Sequence, residues 1–264
     1  MPVWLVIVVL GVIEGITEFL PVSSTGHLLI AERWLNLHQS DLFNVVIQCG
    51  AVIAVLPLFP ERLRQFFFDW RSKATQDYLA KILVAFVITG IGGLVLEKKG
   101  FKLPEEVKPI AWALLAGGIG FVLVEEWLRG RTLKSEVTWG IVLAVGIGQL
   151  IAAVFPGTSR SGATILLCLL LGLNRPAATE YCFLVGVPTM LAAGGLKIFK
   201  ELHHPLAGPA HENWKLLLLG CVVSAIVSFI AVKWLLRYVQ THTFVLFGWY
   251  RIGLAALIGV LLLV

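Results

Sequence analysis

The sequence predicts an all-α polytopic integral membrane protein made of two inverted-topology repeats, each a re-entrant helix hairpin plus three transmembrane helices. Three observations predict it. The chain is 58% hydrophobic and only 14% charged, whereas a soluble domain carries roughly 25% charged residues. Its apolar residues fall in long runs parted by short charged links. The order of those runs in the first half returns in the second. The whole of 1–264 therefore reads as a single membrane domain, with repeat one about 1–130 and repeat two about 136–264.

The formal net charge of +5 is small beside this apolar bulk. Lys and Arg gather in the links, where they would meet lipid headgroups. No basic stripe marks a nucleic-acid face, so the bilayer is an expected partner and nucleic acid is not. Cys49, Cys168, Cys182 and Cys221 each sit alone in an apolar run. They lack metal-ligand or redox spacing and read as small buried hydrophobes. No basic n-region precedes the first apolar run, so that segment is expected in the mature fold.

Val3–Leu20 opens the chain as an apolar run that contains Glu14 and Glu18 and stops at Pro21. After the turn Pro21-Val22-Ser23-Ser24-Thr25-Gly26, His27–Leu35 is apolar again. It is too short for a crossing, which takes about 20 residues. A re-entrant hairpin fits, provided protein or a cavity covers its free backbone groups. Asn44–Phe59, Leu79–Leu96 and Ile110–Val124 then read as spans. Between the first two, Glu61–Asp77 mixes Arg62, Arg64, Arg71 and Lys73 with Phe66, Phe67, Phe68 and Trp70, the composition of a helix at headgroup level. Leu128–Glu136 is a short charged loop.

The opening pattern then returns. Gly146–Gly162 aligns with Gly11–Gly26 once a single residue is inserted near its end: Gly11 falls on Gly146, Pro21 on Pro156, Ser24 on Ser159 and Gly26 on Gly162. Ala163–Leu173 is the second short piece, and Tyr181–Phe199, Lys215–Leu236 and Phe244–Leu263 are the next spans. A hairpin returns to its own side and three spans end on the other, so the second half is expected to be inverted. The loops Pro21–Gly26 and Pro156–Gly162 would then converge from opposite faces near the midplane. Lys and Arg are slightly more frequent in the loops after Phe59, Val124, Leu173 and Leu236, which favours a cytoplasmic position for that face and external termini.

The chemistry lies in the two loops. Glu14 and Glu18, four apart on a helix, share one face. Two such carboxylates in a low-dielectric site cannot both ionise cheaply. Either one keeps a proton, or a hard cation such as Mg²⁺ or Ca²⁺ sits near them and takes substrate phosphate as a further ligand. His27 opens a return helix whose free N–H groups favour an anion, and it can serve as general acid, base or nucleophile. Arg160 stands among Thr158, Ser159 and Ser161, and its planar fork suits a phosphate. The plainer alternatives are a packing role for the acids, a core histidine, and an arginine that only balances their charge. Opposite Glu14, Glu18 and Thr25 the second half has Gln149, Ala153 and Arg160. One hairpin is acidic and the other cationic, a division of labour that argues for catalysis. Gly157-Thr158-Ser159-Arg160-Ser161 lacks the second glycine of a Gly-x-Ser-x-Gly elbow, so that nucleophile motif is absent.

Glu-Gly-Ile-Thr-Glu-Phe-Leu-Pro-Val-Ser-Ser-Thr-Gly-His (14–27) and Pro-Gly-Thr-Ser-Arg-Ser-Gly-Ala-Thr (156–164) resemble the two signature motifs of the bacterial undecaprenyl-diphosphatase family, which confers bacitracin resistance. The resemblance covers the full length. It implies hydrolysis of undecaprenyl diphosphate to undecaprenyl phosphate and inorganic phosphate, recycling the lipid carrier of peptidoglycan and other wall polymers. It further implies a multi-pass protein of the bacterial plasma (inner) membrane, an active site on the extracytoplasmic side and a supporting divalent cation. Glu14 and Glu18 match the family's acidic pair, His27 its motif histidine and Arg160 its essential arginine.

The expected catalytic set is thus Glu14, Glu18, Ser24, His27 and Arg160, with Ser24, His27 or a water as the attacking group. Arg160, Ser159, Ser161, Thr158, Thr25 and Gly26 are the expected phosphate contacts, and Glu14 and Glu18 the metal ligands. The expected partners are a polyprenyl diphosphate lipid, the bilayer and a second copy of the chain in a homodimer. A polyprenyl-phosphate transporter or flippase on the same inverted repeat is the alternative, since such repeats build many transporters.

Overall fold

The computed structural model describes residues 1–35, 39–100, 107–203 and 213–261. Among the described residues eleven α-helices follow one another: α1 (Val3–Thr17), α2 (Ser24–Leu35), α3 (Asp41–Val55), α4 (Pro60–Phe68), α5 (Lys73–Lys98), α6 (Val107–Trp127), α7 (Trp139–Val154), α8 (Arg160–Leu170), α9 (Arg175–His203), α10 (Trp214–Tyr238) and α11 (Val245–Leu261). A 3-10 turn, Leu56–Leu58, prolongs α3. With that turn α3 has 18 residues, and α5, α6, α9 and α10 have 26, 21, 29 and 25; these five are long and apolar enough to cross a bilayer. The α11 helix reaches 17 residues, and the end of the expected span Phe244–Leu263 lies outside the described residues.

Local chemistry sets boundaries that hydropathy does not show. The return helices start at Ser24 and Arg160, ahead of His27 and Ala163, where the short apolar pieces were expected to begin. Ser23 and Ser159 cap them, each hydroxyl accepting from the backbone N–H of Gly26 (3.3 Å) and Gly162 (3.1 Å). The link Glu61–Asp77 divides into α4 and the first turn of α5, because Ser72 Oγ accepts from Thr75 N–H at 3.2 Å and starts a helix there. Phe67, Phe68 and Trp70 along that link are exposed.

The surface is that of a protein solvated by lipid. All nine tryptophans are exposed, whereas in water such side chains bury most of their area. Trp4, Trp34, Trp127, Trp139 and Trp214 lie within two residues of a helix end, where an indole meets the headgroups.

The helices pair across the two halves of the chain. The α1 helix packs on α10, and α5 on α7; α3 packs on both α9 and α10, α5 on α9, and α6 on α11. Exchanging the halves maps these pairings onto one another. Gly11 abuts Gly220 and Val223 while Gly15 abuts Val227, so α1 runs parallel to α10; Ile88 at Gly146 and Leu150 at Gly92 make α5 parallel to α7. Ion pairs of Lys197 with Asp41 (3.1 Å) and of Lys200 with Glu97 bring the start of α3 and the ends of α5 and α9 to one face. The chain order puts the starts of α6 and α10, and hence of α1, on that face as well. On the opposite face Glu125 accepts from Arg175 Nε (2.9 Å) and from Phe244 N–H (2.8 Å), tying α6, α9 and the approach to α11 together.

Where α3 crosses α10, a Cβ on Gly50 would stand 2.5 Å from the Cys221 carbonyl oxygen. Backbone cannot yield there as a flexible side chain would. Gly50→Ala is expected to lose about 1–3 kcal/mol of stability, read as a lower melting temperature in detergent; an unchanged melt would contradict this close crossing.

Candidate active site

The two broken helices meet in the interior. The Glu18 N–H bonds the Glu14 carbonyl (2.9 Å) and prolongs the helical path of α1, so the Glu18 side chain is carried to the junction of the hairpins. Its Oε2 accepts a hydrogen bond from Ser24 Oγ at 2.7 Å, and its Oε1 accepts from Arg160 Nη2 at 3.2 Å. One carboxylate therefore joins a hydroxyl from the first loop to a guanidinium from the second. The guanidinium carbon sits 5.7 Å from the centre of the Phe19 ring. Its Nη1 packs on α9 where only glycine leaves space: a Cβ on Gly186 would come within 1.9 Å. Arg160 Nε and Nη1 have no hydrogen-bond partner. A buried ion pair is weak evidence for stability, but here it leaves a fixed cation with unspent donors.

Backbone geometry corrects the register between the halves. Ser23 and Ser159 both adopt positive φ, +75° and +67°, a region that costs non-glycine residues about 1–3 kcal/mol. Both cap their helices in the same way, so Ser23 matches Ser159. Arg160 then stands opposite Ser24, where the aligned sequences set it opposite Thr25. The inserted residue falls between Pro156 and Ser159. The two groups that share the Glu18 carboxylate thus occupy equivalent places.

Glu18, Ser24, Thr25, Ser159 and Arg160 line one cavity of about 270 Å³, together with Gln149 and Thr89. Other expected site residues lie elsewhere. Ser161 is fully buried, its Oγ 3.2 Å from the Leu20 carbonyl, 3.4 Å from that of Glu18 and 3.1 Å from Ser159 Oγ; it seams one loop to the other. Gly26 packs against Ile110. Thr158 turns its carbonyl to Arg251. Glu14 is fully buried beside Glu18, with no hydrogen-bond partner on either oxygen, and does not line the cavity. His27 points away from it. Its Nδ1 lies 2.7 Å from the Ser23 carbonyl and its Nε2 2.6 Å from Tyr250 Oη. The carbonyl can only accept, so Nδ1 carries the proton and Nε2 takes the tyrosine's. Both nitrogens are engaged.

Sequence reasoning missed Arg251. It is the largest fully buried side chain among the described residues. It donates to the carbonyls of Pro21 (3.3 Å), Gly157 (3.4 Å) and Thr158 (2.9 Å) in the two loops, and of Ala113 (3.1 Å) and Leu114 (3.4 Å) in α6. Gly117 makes the space, since a Cβ there would lie 2.2 Å from Arg251 Nη2. A lone arginine within the last apolar run was the available signal. Arg251→Met would strand these acceptors, each at a cost of about 1–3 kcal/mol. The expected outcome is a much lower melting temperature in detergent, partly recovered in Arg251→Lys; a wild-type melt for Arg251→Met would refute the pinning role.

The model of the family described as "Bacitracin resistance protein BacA" matches residues 7–257 of the chain. The protein named undecaprenyl-diphosphatase from Rhizobium etli is 54% identical over 256 residues, covering 97% of this chain and 94% of that protein. Its namesake from Rhizobium leguminosarum bv. trifolii is 53% identical over 257 residues, covering 96% and 94%. That from Xanthomonas campestris pv. campestris is 45% identical over 251 residues, covering 94% and 93%.

Proposed function

The chain belongs to the bacitracin resistance protein BacA family, and on that premise we propose the reaction it performs and the groups that perform it. It is a membrane phosphatase that hydrolyses undecaprenyl diphosphate to undecaprenyl phosphate and orthophosphate. The observation that carries this is identity of 45–54% to proteins of that name along nearly the whole chain. The flippase alternative has only the architecture in its favour and is not preferred.

Arg160, which borders the cavity, grips the terminal phosphate through its charge, with Ser159 and Thr25 beside it. Phosphoryl transfer depends mainly on such charge stabilisation. Ser24 Oγ is the attacking atom: its 2.7 Å hydrogen bond to Glu18 supports a nucleophile with its base already in place. The Oγ–P bond forms as the bridging P–O bond breaks, its electron pair leaves on undecaprenyl phosphate, and the hydroxyl proton passes to Glu18. Water then hydrolyses the phosphoserine. His27 serves this scheme from outside the cavity, by holding the Ser23 carbonyl. Replacing Arg160 by Ala should cut turnover of undecaprenyl diphosphate in detergent by at least about 100-fold, measured as phosphate release; near-normal release by the folded variant would sink the assignment.

A divalent cation would have one protein ligand available beside the cavity, the Glu14 carboxylate. Glu14 has two buried oxygens without partners, while those of Glu18 are engaged. Among the described residues no cluster of three or more His, Cys, Asp or Glu is placed to hold an ion, so substrate phosphate and water would complete the shell, as Mg²⁺ commonly accepts. The ion would supply neutralisation of diphosphate charge. EDTA should abolish activity and Mg²⁺ or Ca²⁺ restore it, with Glu14→Gln needing about tenfold more cation; an identical cation requirement in the variant would remove Glu14 as ligand.

The protein sits in the bacterial plasma membrane as a pair of inverted repeats. Val45 and Gln48 near the start of α3, and Met190 and Ala193 in the later half of α9, line the cavity. It therefore lies toward the face that carries the start of α1. The distribution of Lys and Arg supports an extracytoplasmic position for that face.

A further inference from the structure

Gln149 lines the same cavity as Ser24 and Arg160, yet the scheme above leaves it unused. The side chain is 3% exposed, and its orientation is decided by its neighbour. Thr89 Oγ1 lies 3.0 Å from the Ala85 carbonyl and 3.3 Å from that of Gly146. Carbonyls only accept, so the threonine's single proton is committed to them and its oxygen can only accept in turn. The group that faces it at 2.9 Å must therefore be the Gln149 amide nitrogen, which fixes the flip of the amide. Oε1 is left without a partner, on a side chain that borders the cavity.

A fixed, unpaired and buried carbonyl acceptor is an odd neighbour for a phosphate site. Phosphate oxygens are acceptors too and would repel it. An acceptor there is satisfied only by a ligand that brings an O–H. In a hydrolysis that ligand is water, and its oxygen must be oriented for in-line attack. A carboxylate at this position would orient water as well, but its charge would oppose the diphosphate held by Arg160. The neutral amide avoids that conflict.

We propose that Gln149 Oε1 holds the water that hydrolyses the phosphoserine, with Thr89 as the positioning residue that sets the amide. The proposal rests on the phosphatase reading with Ser24 as nucleophile. The water oxygen bonds to phosphorus as the Ser24 Oγ–P bond breaks with its electron pair on Oγ. One water proton passes by way of Glu18 to Ser24 Oγ, and the other stays on the orthophosphate that forms. Gln149 gains no proton; it fixes direction only.

The test is rapid-quench single turnover in detergent with undecaprenyl diphosphate labelled with ³²P in its terminal phosphate. In Gln149→Leu, undecaprenyl phosphate should appear at about the wild-type rate, while orthophosphate release slows by about 100-fold and labelled protein accumulates. Thr89→Val should show the same split more weakly, and Thr89→Ser should restore wild-type behaviour by returning the hydroxyl. Equal slowing of both products, or no change in either, in both Gln149→Leu and Gln149→Met would overturn the role. A wild-type protein that releases no orthophosphate would bring down the phosphatase reading itself. Release by the wild type together with full activity of Ser24→Ala would remove the phosphoserine and this proposal with it, leaving the phosphatase reading intact.

Discussion

Breaking a helix inside a membrane frees backbone carbonyls where no water can reach them, and each unmet acceptor in hydrocarbon costs several kcal/mol. This protein breaks two, after Thr17 and after Val154. Arg251 is the answer to that constraint. It reaches the carbonyls of Pro21, Gly157 and Thr158 from α11 and anchors them to α6 through Ala113 and Leu114. Arginine suits the task because its donors spread over a rigid plane. Everything in the cavity inherits its position from these loops: Ser24 and Arg160 begin return helices whose caps are the loops' last residues.

Much of this was legible in the sequence, and the failures have distinct physical causes. The hairpins announced themselves because apolar pieces too short to cross flank a proline and a polar turn. That Arg160 comes close to the acidic pair followed from the repeat and from opposite charge; that Glu18 rather than Glu14 takes it did not. The register did not, since a one-residue insertion has no unique place in a string of small polar residues; only the shared left-handed caps at Ser23 and Ser159 locate it. His27 could not be oriented either. Its partner Tyr250 is distant in sequence and belongs to a helix that shows no polar pattern. Arg251 went unnoticed for a related reason: its partners are carbonyls, which every residue has and no sequence displays. Gln149 was seen as the counterpart of Glu14, but its role depends on which end of an amide faces Thr89.

Two different contacts back the two ends of the ion pair. Gly186 holds Arg160 against the middle of α9, two residues before Pro188. A proline inside a helix removes one backbone bond of the ladder, so the wall behind the guanidinium lacks one of its helical hydrogen bonds. At the carboxylate end, Ser161 seams the carbonyls of the first loop to the second.

The equivalence of Ser24 and Arg160 bears on how such a site can arise. A symmetric dimer of half-length chains would present one residue type at that place twice. It could offer two hydroxyls to its two carboxylates or two guanidiniums, but never one of each around a single acid. Joining the halves into one chain lifts that restriction, because each copy can then change alone. The fused polypeptide is therefore the condition for a hydroxyl and a guanidinium to share one carboxylate, an arrangement that two identical halves could not make.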